Sequence, residues 1–289
     1  MKSATPTARG LGRLAPLRGA GRRAPPPVVS SALSSLRLTG WAWGGALIGG
    51  LITALLFAPA AWLADAVSNA TGQQLQLTEP RGTVWQGSAQ LVLTGGIGSQ
   101  DSTALPGRVQ WRLRPALNGL TLALMTDCCT PDALRLAIRP RIGGLRIDLA
   151  DGRSQWPAQL LAGLGTPWNT LQPEGRLDLS SQSLSAEWQA GRLQLSGGAV
   201  LEALGVSSRL STLRPMGSYR LRLQGGPAIG LTLETIEGSL QLSGSGQWVG
   251  SRLRFTGEAS ATPEREAALS NFLNIIGKRD GLRSVITLG

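Results

Sequence analysis

Along most of the chain, apolar and polar residues alternate with a period of two. The pattern holds in Gln74-Leu75-Gln76-Leu77, Ala89-Gln90-Leu91-Val92-Leu93, Val109-Gln110-Trp111-Arg112-Leu113 and Arg176-Leu177-Asp178-Leu179. It returns in Arg192-Leu193-Gln194-Leu195, Tyr219-Arg220-Leu221-Arg222-Leu223, Ser239-Leu240-Gln241-Leu242 and Arg252-Leu253-Arg254-Phe255. Successive side chains of a strand point to opposite faces, so each run predicts a strand with one buried face and one wetted face. Gly, Pro, Asn and Ser separate the runs at intervals of about 10–20 residues, as hairpin connections require. The pattern predicts an all-β exported domain over residues 65–289: one curved antiparallel meander sheet, open or a half-barrel, with one or two short helices.

The phrase Gly-x-Leu-x-Leu recurs at Gly175, Gly191 and Gly238. It reads as a turn glycine opening each strand, not as a solenoid repeat. Leucine rather than valine on the buried positions is unusual for strands. It suits a groove lined by flexible apolar side chains, and equally a wide sheet covered by a helix.

Two segments depart from the alternation. Residues 156–165 have Pro157 near their start and Gly165 at their end, which predicts a short helix or turn. Residues 262–277 are better marked: Thr262 as cap, Pro263 in the first turn, and Glu264 and Glu266 at the positive end of the dipole. Leu269, Phe272, Leu273 and Ile276 then share one face, with Lys278 and Arg279 beyond the end. Residues 283–288 return to strand.

One stretch has no polar positions to pattern. Residues 41–63 read WAWGGALIGGLITALLFAPAAWL without a charge. At about 1.5 Å per residue this run spans roughly 35 Å as a helix, enough for a hydrocarbon core of about 30 Å. Trp41 and Trp43 stand at one end and Trp62 at the other, where amphipathic rings favour the headgroup level. A single transmembrane helix over residues 39–64 is therefore expected. A cleaved signal peptide and a buried core helix are the alternatives. Against cleavage, the run is long for a signal h-region and Pro59 sits inside the Ala58-Pro59-Ala60 candidate site. Gly45 and Gly49 give a small-xxx-small spacing that suits helix packing in a membrane.

Charge then orients the chain. The first 40 residues hold Lys2, Arg9, Arg13, Arg18, Arg22, Arg23 and Arg37, and no acid precedes Asp65. The asymmetry places the N-terminus in the cytoplasm and the segment after Leu63 in the periplasm. The net charge of +11 belongs largely to this basic tail, so it does not describe a nucleic-acid-binding domain. Residues 1–38, rich in Ala, Pro, Gly, Ser and Arg, read as a disordered cytoplasmic tail.

Candidate chemistry is sparse. The chain has no His, which excludes His-based triads and His metal sites. Its 17 acids are scattered without the spacing of a carboxylate pair or a calcium loop, and no phosphate-cradling motif is present. The two cysteines, Cys128 and Cys129, are adjacent, about 3.8 Å apart at Cα, below the usual disulfide span. A strained vicinal bond or inert thiols are favoured over an intermolecular bridge or a redox role. No enzyme, cofactor, metal site or small-molecule substrate is expected. Trp85, Trp111, Trp188 and Trp248 lie in or beside strands, where core packing is the first reading and partner contact the second.

Several pieces in fixed order resemble protein N of the bacterial type II secretion system. They are Phe57-Ala58-Pro59-Ala60, Gly72 and Leu75, and then residues 82–89, GTVWQGSA. Residues 105–115, LPGRVQWRLRP, residues 215–221, PMGSYRL, and residues 272–279, FLNIIGKR, follow. The resemblance covers roughly residues 45–289. These read as packing and turn motifs: Gly82 and Gly87 open and close a strand with Trp85 facing the core, and Pro106-Gly107 turns the chain. Pro115 stops the next strand at an edge, and Trp111, Tyr219 and Phe272 complete the set. The resemblance implies an accessory subunit of the machine that exports folded proteins across the outer membrane, with other inner-membrane subunits, and the outer-membrane secretin, as partners. It carries over no catalytic residues. A periplasmic lipid- or acyl-chain-binding module, built on the Leu-lined sheet, is the competing reading.

Overall fold

The alternating runs become the ladder of one large sheet. The computed structural model describes residues 35–289 apart from Ser251. The expected cytoplasmic tail lies, up to residue 34, outside the described residues. The described residues divide into a stretch ending at Gly50 and a compact unit over Leu51–Gly289, and the sheet lies wholly within the latter.

Its strands are β1 (Leu75–Gly82), β2 (Gln86–Thr94), β3 (Ser102–Ala104), β4 (Val109–Ala116), β5 (Gly119–Thr126), β6 (Leu134–Arg141), β7 (Gly144–Leu149) and β8 (Gly152–Pro157). They continue as β9 (Glu174–Gln189), β10 (Arg192–Ser207), β11 (Gly217–Gln224), β12 (Gly230–Gly238), β13 (Leu240–Val249), β14 (Arg252–Ala261), β15 (Lys278–Asp280) and β16 (Arg283–Leu288). All pairings are antiparallel and neighbours in space are almost always neighbours in sequence, from β1 at one edge to β15 at the other. The fold is an open meander, as the hydrophobic pattern predicts. Glycines at 175, 191 and 238 stand at the openings of β9, β10 and β13, as expected of turn residues.

Register divides the sheet into two chemically different faces. On one, Leu201 pairs with Leu221, Leu221 with Leu233, Leu233 with Gly244, Gly244 with Gly257 and Gly257 with Ile286. On the other, Arg114 pairs with Thr121, then Ala137, Asp148, Ser185 and Ser196 follow in line. Strands β7 and β8 share a single partner: β7 pairs the last part of β9 and β8 its first part. Nothing in the local pattern distinguishes this interrupted strand from two ordinary ones.

Helices close the apolar face at both ends of the chain. The expected single helix over 39–64 is two helices, α1 (Ser35–Leu56) and α2 (Ala60–Ala70). Pro59 causes the break: it has no N–H, and it disfavours helical backbone at Ala58. The carbonyl of Ala58 instead accepts the Val84 N–H at 2.9 Å, and Pro59 bridges to Thr83. Residues 60–64 therefore belong to the domain, because Ala60 packs with Ala89 of β2 and Trp111 of β4. Among the described residues, no helix is long and apolar enough to cross a membrane.

The two predicted helical segments both form. Pro157 ends β8, and a 3-10 helix over Ala158–Leu164 follows, then the single helical turn α3 (Trp168–Leu171), which the pattern does not announce. Near the C-terminus, a 3-10 turn at Pro263–Arg265 leads into α4 (Glu266–Ile276). Leu269, Phe272 and Leu273 are its buried face, as their spacing predicts, whereas Thr262 makes no side-chain cap. These three pack on Met216, Tyr219, Leu240 and Ala259 in the largest core cluster.

Candidate functional site

The motif residues nearest the start of the sheet form one packing unit. Gly87 pairs directly with Trp111 across β2 and β4. A Cβ on Gly87 would lie 2.5 Å from Cζ2 of the Trp111 ring and 2.6 Å from the Arg81 carbonyl, so only glycine admits the ring. Trp111 is 3% exposed, and its indole N–H donates to the carbonyls of Thr83 (3.2 Å) and Val84 (3.1 Å).

Trp85 departs from its expected role. Residues 83–85 form the β1–β2 connection, not a strand, because Gly82 ends β1 at positive φ and Thr83 N–H returns to the Gln86 carbonyl. Trp85 is half-buried there, with its indole N–H donating to the Leu55 carbonyl at 2.7 Å. It ties the end of α1 to the sheet instead of filling the core.

Pro106 and Gly107 make the expected turn ahead of β4. Pro115 does not stop β4, which runs to Ala116. The ladder to β2 ends at Arg112, so at Pro115 the missing N–H faces no neighbouring strand. Tyr219 and Phe272, far apart in sequence, meet in the cluster under α4. Trp41, Trp43 and Trp62 are all exposed, as is Trp188. Cys128 and Cys129 are joined in a vicinal disulfide in the β5–β6 connection, with Cys129 buried against Leu105, Val109 and Leu160.

Two concavities lie on opposite faces of the sheet. On the apolar face, β9 to β16 curl into a trough of about 520 Å³ whose lining includes Leu177, Leu201, Leu221, Leu233, Phe255 and Phe272. Glycine makes room for one lining ring: a Cβ on Gly244 would sit 2.5 Å from the Phe255 ring and one on Gly257 3.0 Å from it. Tyr219 also lines the trough; it is 6% exposed and its hydroxyl finds no hydrogen-bond partner among the described residues. Burial pushes the pKa of this phenol above its ordinary value, so it stays a protonated donor. On the reverse side, Arg220 binds Glu202 (2.8 Å) and Glu234 (2.9 Å), and Arg222 binds Glu234 (3.1 Å). Hydrogen bonds to Glu202 and then Glu234 raise the Arg220 pKa.

The second concavity, about 1220 Å³, lies on the polar face over β2, β4, β5 and β6. Arg112 and Arg135 flank Ala123 across three strands, and Arg114 stands two residues along from Arg112. Arg81 and Arg108 complete the rim, and both pair with Glu79. Arg112, Arg114 and Arg135 are exposed and make no ion pair among the described residues. The alternation shows that these arginines leave the core. Only the register shows that they converge over small side chains. Among the described residues no group of three or more acids or cysteines is placed to hold a metal ion.

The family model for the type II secretion system (T2SS), protein N, matches residues 73–285. No curated protein and no solved structure matches the chain.

Proposed function

This chain belongs to the type II secretion system protein N family, and on that premise we propose that it is a non-enzymatic inner-membrane subunit that docks other envelope subunits of the machinery. Family membership makes it a component of type II secretion, associated with other subunits of that system. The observation that carries docking is the arginine-rimmed concavity. Arg112, Arg114 and Arg135 make no ion pair among the described residues, although Asp127 and Asp148 also line the concavity, so the arginines can take further charge from an acidic surface of a partner. We assign that surface to a periplasmic part of an inner-membrane subunit, with the outer-membrane secretin as a second partner. The absence of His and the dispersal of the acids support a role without catalysis.

The proposed placement has the N-terminus in the cytoplasm, one anchor within the apolar run, and the sheet in the periplasm. Its support is the uncharged run 41–63 and the seven basic residues before it. The test of docking is crosslinking with mass spectrometry in secreting cells, comparing wild type with Arg112→Glu/Arg114→Glu/Arg135→Glu. Loss of specific crosslinks and of secretion, with unchanged melting, is the expected result. Normal secretion by the triple variant overturns it.

A further inference from the structure

We propose that the row of hairpin tips at one end of the sheet rests on the surface of an anionic lipid bilayer, with apolar side chains entering the interface and arginines meeting the phosphates. The proposal rests on the placement of an anchor within the apolar run 41–63, and not on docking at the arginine-rimmed concavity. Three observations select a membrane as the occupant.

The first is topology. In an antiparallel meander every second connection falls at the same end of the sheet. The β1–β2, β4–β5, β6–β7 and β9–β10 connections therefore share one end, on hairpins spaced about 10 Å apart. The apolar run enters the sheet at this end with no linker. The Leu55 carbonyl accepts the Trp85 indole N–H, and the Ala58 carbonyl accepts the Val84 N–H, both within the β1–β2 connection. Leu51, Ile52, Leu55, Leu56 and Phe57, which lead into these bonds, are each more than half exposed. The Trp85 carbonyl in turn accepts the Leu113 N–H, and β4 runs on past that bond to Ala116 and the next tip.

The second is what the tips carry. Turn positions ordinarily hold Gly, Pro, Asn, Asp or Ser. Here Leu117, between β4 and β5, is 105% exposed, and Ile142, between β6 and β7, is 98% exposed. Next to the β9–β10 turn, Leu145, Trp188 and Leu193 pair in line across β7, β9 and β10, and all three are exposed. Exposed apolar side chains gathered at one place and rimmed by charge mark an interaction surface, and tryptophan favours the headgroup level of a bilayer.

The third is charge. Arg141 ends β6 beside Ile142, and Arg192 opens β10 beside Leu193. Both are exposed and make no ion pair among the described residues. Glu187 is the one acid within three residues of these four connections, and Arg146 holds it at 3.4 Å. At the opposite end, the β2–β3 and β5–β6 connections hold Asp101, Asp127 and Asp132. The sheet thus turns apolar and basic groups toward the end where the run enters and acids away from it. A protein partner at this end would have to share it with the bilayer that holds the run.

The test uses the full chain in two kinds of nanodisc, one of phosphatidylcholine alone and one of phosphatidylcholine with phosphatidylglycerol. Leu117→Cys and Ile142→Cys each receive a nitrobenzoxadiazole fluorophore at the tips, and Ile97→Cys and Leu282→Cys receive it at the opposite end. Cys128 and Cys129 are joined to each other, so in the absence of reductant only the introduced thiol is labelled. Quenching by a nitroxide on the lipid chains and by iodide in water is then compared. The tip probes should be quenched by the lipid nitroxide and shielded from iodide, more strongly in the anionic discs, and the opposite-end probes should behave in the reverse way. Arg141→Gln and Arg192→Gln should each lower the ratio of docked to free probe in anionic discs by about fivefold, with unchanged melting. Tip probes as open to iodide as those at Ile97 and Leu282 overturn the proposal, and equal quenching in the two discs overturns the choice of an anionic surface. A probe at Ile52→Cys reads the anchor separately. Lipid around Ile52 with wet tips overturns the docking alone, whereas lipid around the tips with Ile52 in water overturns the anchor and supports the docking.

Discussion

One absent Cβ decides where Trp111 sits. Because a Cβ at Gly87 would meet both the indole ring and the Arg81 carbonyl, Gly87→Ala forces the ring or the β1–β2 connection to move. We expect a loss of about 1–3 kcal/mol, the usual cost of overpacking, read by chemical denaturation of the full chain. Trp111→Ala empties the same site and should cost about 3–5 kcal/mol. Trp85→Ala should cost only about 1 kcal/mol, since it loses chiefly one hydrogen bond to Leu55. Equal losses at the two tryptophans would contradict their different burial. Tyr219, the one tyrosine of the chain, gives a second residue-level test. Its folded pKa is raised above the ordinary value of 10.0 by burial, so its contribution to stability is fully present below pH 10 and is lost as pH rises further. Phenolate absorbance should appear near pH 10 in denaturant but only at higher pH in the folded protein. A folded-state transition at the denatured value would show that the hydroxyl reaches water. Both tests concern residues that the family motifs bring out; their roles come from contacts between positions 24 and 53 residues apart.

At the scale of elements, α4 and β16 illustrate what can and cannot be read locally. The spacing of Leu269, Phe272 and Leu273 is enough to mark α4, and the β-prone run at 283–288 marks β16. What covers the helix is not local: its partners Met216, Tyr219 and Leu240 arrive from β11, β13 and the chain before them. Truncation after Arg279 removes β16, leaves the outer side of β14 unpaired and strips Ile286 and Leu288 from the trough wall. Exposed strand edges pair with other chains, so the truncated protein should aggregate and be cut by protease faster than the full chain. Equal resistance in limited proteolysis would show that β16 is dispensable. Several strands escape the alternation rule for a physical reason. In β5, the outward positions Ala123 and Met125 are themselves apolar, so the period of two fades. The β7–β8 break escapes it because a partner strand, β9, decides which residues pair.

For the whole molecule, the prediction concerns direction. With seven basic residues ahead of the apolar run and no acid before Asp65, alkaline phosphatase fused after residue 289 should be active in the periplasm. An inactive fusion reverses the topology, and a soluble product beginning near residue 61, after Ala58-Pro59-Ala60, or near residue 67, after Ala64-Asp65-Ala66, replaces the anchor with a cleaved leader. The sequence by itself determined the class of fold, because a period of two along the chain leaves only sheets able to bury one face. The apolar run reads as one helix; the break at Pro59 is fixed where Val84 bonds to the Ala58 carbonyl and Thr83 bridges to Pro59, contacts the run itself does not carry. Tertiary structure alone decided that Arg112 and Arg135 meet across Ala123, that Gly244 and Gly257 make room for Phe255, and that leucines from β9 through β14 and from β16 enclose one trough. Those outcomes depend on the register of each successive hairpin and on how one strand's side chains line up with the next along the whole sheet, and register is set by pairing between strands, which no single segment carries.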